Sequence, residues 1–175
     1  MPGPLNLSDA DLSGFDPIEP GRYNAEVFEI TMDAVKNTSG EGKMPAGTPM
    51  MKVQFRLVNN EPIVLDDGKT VNLENRAVWT QFVIPPVEYD KGKAAKMKGM
   101  IARFFIATGD PEEVVLNSEF DPDFNEYKGR PVVVVLGKEQ KRDRNGNTIE
   151  GEYNNPVKGV KPAGSIVGST SSGLL

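Results

Sequence analysis

Arg76-Ala77-Val78-Trp79-Thr80-Gln81-Phe82-Val83-Ile84 runs into Pro85-Pro86, and from Gly92 to Thr108 the chain then reads GKAAKMKGMIARFFIAT. The first stretch is β-branched and aromatic, and the proline pair closes it as a strand. In the second, apolar residues fall at Ala94, Met97, Ile101, Phe104, Phe105 and Thr108, the spacing of an amphipathic helix. Gly109 stands where a helix stop belongs. A strand followed at once by one helix is the hinge on which the fold reading turns.

Upstream of that hinge two more strands are expected. Met50–Val58, MMKVQFRLV, alternates cleanly, with Met51, Val53, Phe55 and Leu57 toward a core and Lys52, Gln54 and Arg56 outward. Arg22–Met32 also alternates, placing Tyr23, Ala25 and Val27 on one side and Glu26, Phe28 and Ile30 on the other. Residues 37–48 are a loop by composition, and Asp67-Gly68 marks a minor hairpin within Asn59–Glu74. Downstream, Arg130–Leu136 is nearly continuous in valine, which suits a strand buried on both faces. Lys138–Tyr153 reads as a hairpin around Arg144-Asn145-Gly146-Asn147, and Val157–Val160 as a short last strand.

Three strands, one helix and two or more strands form the element order of an OB-fold, a five-stranded Greek-key barrel with its helix between strands three and four. The expectation is therefore a mainly β, OB-like domain over residues 21–162. An extended acidic lead-in occupies 1–20 and a Gly/Ser-rich, disordered tail 163–175. Other small barrels and α+β sheets share this element order.

Composition narrows the function. The 175 residues contain no His and no Cys, which removes Ser-His-Asp, Cys-His and thiolate- or imidazole-metal chemistry together. No phosphate-cradling motif is present, and Asp121–Glu126 lacks the glycine and the final acid of a calcium loop. A non-enzyme without cofactor or metal is the expectation. There is no signal-peptide pattern and no apolar run near the roughly 20 residues a membrane span needs, so a cytoplasmic location is expected.

Net charge is −5, yet the signs are segregated. Acids dominate 1–20 and 109–127, whereas Lys91, Lys93, Lys96, Lys98 and Arg103 lie within a span free of acids. Binders of single-stranded nucleic acid combine bases for phosphates with aromatic faces for stacking. Candidate phosphate contacts are Lys52, Arg56, Arg76, Lys96 and Arg103, together with Lys141, Arg142 and Arg144 of the hairpin. Candidate stacking residues are Trp79, Phe82 and Tyr153. The plainer reading of each is structural: a lone Trp in a strand is commonly a core anchor, and Lys/Gln/Arg rows are commonly a solvated sheet face.

Several segments resemble a family of small phage-encoded proteins regarded as OB-fold single-stranded-DNA-binding proteins. Phe15-Asp16-Pro17-Ile18-Glu19-Pro20-Gly21-Arg22-Tyr23 resembles that family's lead into strand one, and Met50–Phe55 its second strand. Tyr127-Lys128-Gly129-Arg130 with the valine run, and Asn155–Pro162, are similar to its fourth strand and its close. The resemblance implies sequence-tolerant binding of single-stranded DNA in the host bacterial cytosol, supporting phage DNA replication or recombination beside phage or host replication/recombination proteins. Ser165–Leu175 carries no charged side chain, unlike the acidic tails that recruit partners in many such proteins. Homo-oligomerisation is left open, as are RNA and sequence preference. A protein-interaction or virion-associated β domain that ignores nucleic acid is the alternative.

Overall fold

The computed structural model describes residues 4–8, 17–36 and 45–165. Its strands are β1 (Gly21–Ala34), β2 (Pro49–Leu57), β3 (Ile63–Val64), β4 (Thr70–Val71), β5 (Ala77–Val83), β6 (Pro131–Leu136), β7 (Glu139–Arg142), β8 (Thr148–Asn154) and β9 (Val157–Pro162). Its helices are α1 (Lys91–Ala107) and the single turn α2 (Glu112–Val115), with a 3-10 turn at Phe124–Tyr127. Five strands form one antiparallel sheet in the order β5-β2-β1-β6-β9, and two small hairpins, β3-β4 and β7-β8, extend from it.

Alternation in β2 does what the sequence implies: Met51, Val53, Phe55 and Leu57 are buried and the residues between them are half-exposed. β5 pairs so that Gln54 faces Trp79 and Phe55 faces Val78. Because cross-strand partners share a face, Trp79 lies outward with Lys52, Gln54 and Arg56, while Val78, Thr80 and Phe82 point to the core.

β1 departs from the expected phase. Tyr23, Ala25 and Val27 face inward as expected, but a bulge between Val27 and Glu29 inserts Phe28 as an extra residue. Beyond it the faces exchange: Phe28 stays on the side of Glu26, as alternation expects, whereas Ile30 passes into the core. The bulge is anchored from across the chain: Val27 N–H donates to the Arg130 carbonyl (3.0 Å) and Gly129 N–H donates to the Val27 carbonyl (2.7 Å). Gly129 sits at φ +87°, a conformation that favours glycine.

In β6, Val132, Val134 and Leu136 join the main core while Val133 is buried on the opposite face, as the valine run implies. The core also reaches back to Ile18, which is fully buried. Asn155 clamps it there, accepting from the Ile18 N–H (2.8 Å) and donating to the Ile18 and Gly137 carbonyls (2.7 and 2.8 Å).

α1 begins at Asp90, whose carboxylate accepts from the Lys93 N–H, and stops at Gly109, φ +113°. Phe104 and Phe105 carry it onto the sheet. The Phe104 ring meets Phe55, Phe82 and Phe105 at centroid distances of 6.1, 5.7 and 5.1 Å. Phe105 in turn meets Phe120 and Tyr127 edge-on.

A closed five-stranded barrel is not found. Among the described residues β5 and β9 approach one another across the body of α1, but no ladder joins them. Side chains of α1 stand in the gap, where Met100, Arg103 and Phe104 meet Thr80, Phe82 and Val160 around a groove of about 240 Å³. Among the described residues no helix is long and apolar enough to cross a membrane.

Candidate nucleic-acid interface

The outer face of β5-β2-β1 is built from one register. Trp79 lies opposite Gln54, and Gln54 lies opposite Glu29; on the neighbouring rungs Gln81–Lys52–Thr31 and Ala77–Arg56–Glu26 align. Trp79 is 57 % exposed, a large indole left in water on a strand whose other face is core. It is not a core anchor. Phe28, the unpaired residue of the bulge, lies on the same face two strands away, about 10 Å at the ordinary strand spacing.

Arg56 is held rather than free. Its guanidinium lies over the Phe28 ring, 4.4 Å from the centroid, and Nη1 donates to the Asn75 carbonyl (3.1 Å). With the Gln54 amide turned to suit its neighbours, Gln54 Oε1 accepts from Arg56 Nη2 and Nε at 3.0 and 3.2 Å. Lys128 approaches the Phe28 ring as well, at 5.2 Å. Lys52 donates to Asp33 Oδ2 (3.2 Å). The Asp33 carboxyl is held below its ordinary value, first by the N–H of Ala34 and then by Lys52. With Glu26 and Glu29 also on this face, its charge is balanced rather than basic.

The remaining expected contacts fall into three places. Arg76 is half-buried just before β5, its Nη1 shielded from solvent and its charge opposing the rise in the Tyr23 phenol caused by burial and by Glu19. It is therefore removed from the outer face. Phe82 points inward against Phe104 and lines the β5-β9 groove with Arg103, so it presents no open ring beside Trp79. Lys96 and Arg103 are exposed along one flank of α1, away from the Trp79 face. That groove also gathers Lys158 and Lys161; Lys158 is paired with Glu139, whereas Arg103 and Lys161 have no acid partner among the described residues.

Lys141, Arg142, Arg144 and Tyr153 all lie on the β7-β8 hairpin and all are exposed. Arg142 Nη1 closes the turn on the Gly146 carbonyl (2.8 Å), and Asp143 accepts from the Asn145 and Asn147 N–H groups. Lys141 and Arg144 have no ion-pair partner among the described residues. Lys138 sits 5.2 Å from the Tyr153 ring and also reaches Glu19 (3.4 Å). Because Leu136 pairs with Gly21, this hairpin leaves the sheet at the end nearer Arg56 than Lys52. Phe28, Gln54 and Gln81 were not among the expected contacts. Alternation already set Phe28 on the side of Glu26 and Gln54 in the outward row, but the seating of Arg56 on the Phe28 ring and the pairing of Gln54 with Trp79 required the register.

Compared with protein-family models and with curated proteins, the chain finds no match. The functional reading rests on the geometry above.

Proposed function

We propose that the protein is a sequence-tolerant single-stranded-DNA-binding protein, not an enzyme, that bases stack on Trp79, and that phosphates meet Arg56, Lys141 and Arg144. The observation that carries the reading is Trp79 itself: an indole 57 % exposed on a sheet face, flanked by Gln54 and Gln81, which offer hydrogen bonds without choosing a base. Arg56, already seated on Phe28, holds a fixed positive charge at one end of that face. We read the sheet as an open, OB-like arrangement, which supports the same function. The sheet order is that of strands three, two, one, four and five of a partly open Greek-key barrel, with α1 between the third and fourth. By this reading the chain serves DNA replication or recombination of a phage in the bacterial cytosol.

Fluorescence anisotropy of labelled oligo-dT at low salt tests it. Saturable binding that weakens with salt is expected, and absence of binding at protein concentrations of order 100 µM would overturn it, since even non-specific complexes form in about that range.

A second reading has its own observation. Glu26, Glu29 and Asp33 interleave with Lys52 and Arg56 on the outer face, and a charge-balanced face with one exposed Trp suits a protein partner. Binding by a Trp79-containing face with no affinity for oligo-dT would favour that reading.

A further inference from the structure

On the side of the sheet away from Trp79, a second concavity lies outside the DNA path proposed above. α1, the far ends of β1 and β5, and the chain following α2 enclose a groove of about 410 Å³. Its floor is Met51, Ile101 and Phe105, and its walls include Met32, Leu116 and Phe120. Two of those walls are large apolar side chains left in solvent: Met32 is 49 % exposed and Leu116 65 %. Exposed apolar surface that lines a groove marks an interaction site more often than singly scattered residues do.

The groove does not stand alone. Phe120 and Pro122 are shared with an adjoining concavity of about 520 Å³ whose rim carries Glu113, Glu119, Asp121, Asp123 and Glu126. Among the described residues Arg130 is the only base lining that concavity, and it is committed to Asp110 at 2.7 Å with its guanidinium over the Tyr127 ring; Lys98 of α1 is the one charged group lining the apolar groove itself. The five rim acids have no ion-pair partner among the described residues. Nor do they converge as ligands: among the described residues no three acids are placed to hold a metal ion. Exposure alternates along this loop: Phe120, Pro122 and Phe124 are half-buried and line the groove, while Asp121 and Asp123 between them and Glu119 before them are exposed.

We propose that this paired surface is a docking site for a basic amphipathic segment of a partner protein. Apolar side chains of the segment enter the groove, and its lysines or arginines cross the Phe120–Pro122 wall to the acidic rim. Charge complementarity selects this occupant: an acidic segment would be repelled by five carboxylates, and a purely apolar one would leave them unmatched. The site and Trp79 lie on opposite faces of the sheet, so DNA and the partner can be held at once. The inference does not depend on DNA binding.

The test uses the full chain labelled with ¹⁵N and a synthetic helical peptide of leucine and lysine with leucines at i, i+3, i+4 and i+7. Saturable chemical-shift changes at Leu116, Phe120 and Phe124 are expected. A peptide with serine for leucine should bind about tenfold more weakly. Leu116→Glu, at an exposed position, should weaken the leucine peptide by about as much, and Glu119→Lys with Asp121→Lys should weaken it several-fold and flatten its salt dependence. Thermal melting should not move for any of these variants. Equal binding of the serine peptide, or shifts scattered away from the groove, would overturn the proposal. So would sedimentation showing a dimer of the free chain that Leu116→Glu dissolves, which would assign the groove to a second copy. Oligo-dT anisotropy on the same variants separates this outcome from any failure of the DNA reading, because neither substitution touches the Trp79 face.

Discussion

The outer face around Trp79 and the groove beneath α1 both leave large apolar side chains in water, but they differ in what surrounds them. On the outer face an indole is flanked by two glutamines, and the nearest bases are engaged, Lys52 with Asp33 and Arg56 with Phe28 across strands and Arg56 with Gln54 on its own strand. In the groove a continuous apolar floor runs into five carboxylates with no ion-pair partner among the described residues. A flat aromatic platform with neutral hydrogen-bonding neighbours suits a planar base, whereas a walled apolar trough with one-sided charge suits a side chain on a charged backbone partner. One sheet thus presents two chemically distinct surfaces, one per face.

The aromatic layer between them offers the most severe way to break both. Phe104 is fully buried among Phe55, Phe82 and Phe105, so Phe104→Ala should destabilise the fold by about 3–5 kcal/mol in urea denaturation and impair both faces together. Next in size is the brace of the acidic loop. The Tyr127 hydroxyl donates to Asp110, and burial followed by that carboxylate pushes the phenol well above its ordinary value. The group therefore contributes stability that is complete below the unfolded phenol's pKa and is lost as pH rises through the folded value. Tyr127→Phe should cost about 1.5–3 kcal/mol and flatten the alkaline limb of the stability profile, while leaving oligo-dT affinity unchanged.

Smaller effects sharpen the contrast within the outer face. Trp79→Ala should weaken oligo-dT binding by about 1–3 kcal/mol with little change in melting temperature, whereas Phe82→Ala should lower the melting temperature and spare affinity in the folded fraction. Lys141→Ala and Arg144→Ala should each lower the salt slope of binding by about 0.7. Asp33→Asn should strengthen binding about twofold, because it frees Lys52 and removes a nearby negative charge from an exposed pair. A weaker complex from Asp33→Asn would place Lys52 outside the DNA path.

Much of the fold was readable from periodicity. The alternation of Met51–Leu57, the switch to helical spacing after Pro85-Pro86 and the valine run of β6 all depend on local side-chain pattern, and all appear where expected. The phase of β1 after Val27 was not readable, because the bulge depends on Gly129 and Arg130, about 100 residues away in sequence. Closure of the sheet was not readable either: strand order does not decide whether the last edge pairs with β5 or stops short of it. At the site, the outward row Lys52-Gln54-Arg56 was legible from alternation. Its neutralisation by Asp33, Glu26 and Glu29 was not, since cross-strand charge pairing requires the register. The same register sets Trp79 toward solvent and Phe82 toward the core, and half-buried Arg76, two residues before Val78, falls on the inward side with it. The outward row of bases therefore overstated the basic character of the outer face, and the groove escaped notice because its lining comes from five separate segments.

Trp79 is the single tryptophan, so its emission reports on the proposed stacking site alone. Titration of the full chain with oligo-dT at low salt, followed by tryptophan fluorescence, should give saturable quenching at the same midpoint as anisotropy. Binding seen by anisotropy with unchanged tryptophan emission, or no binding at all, would contradict the placement of DNA on this face.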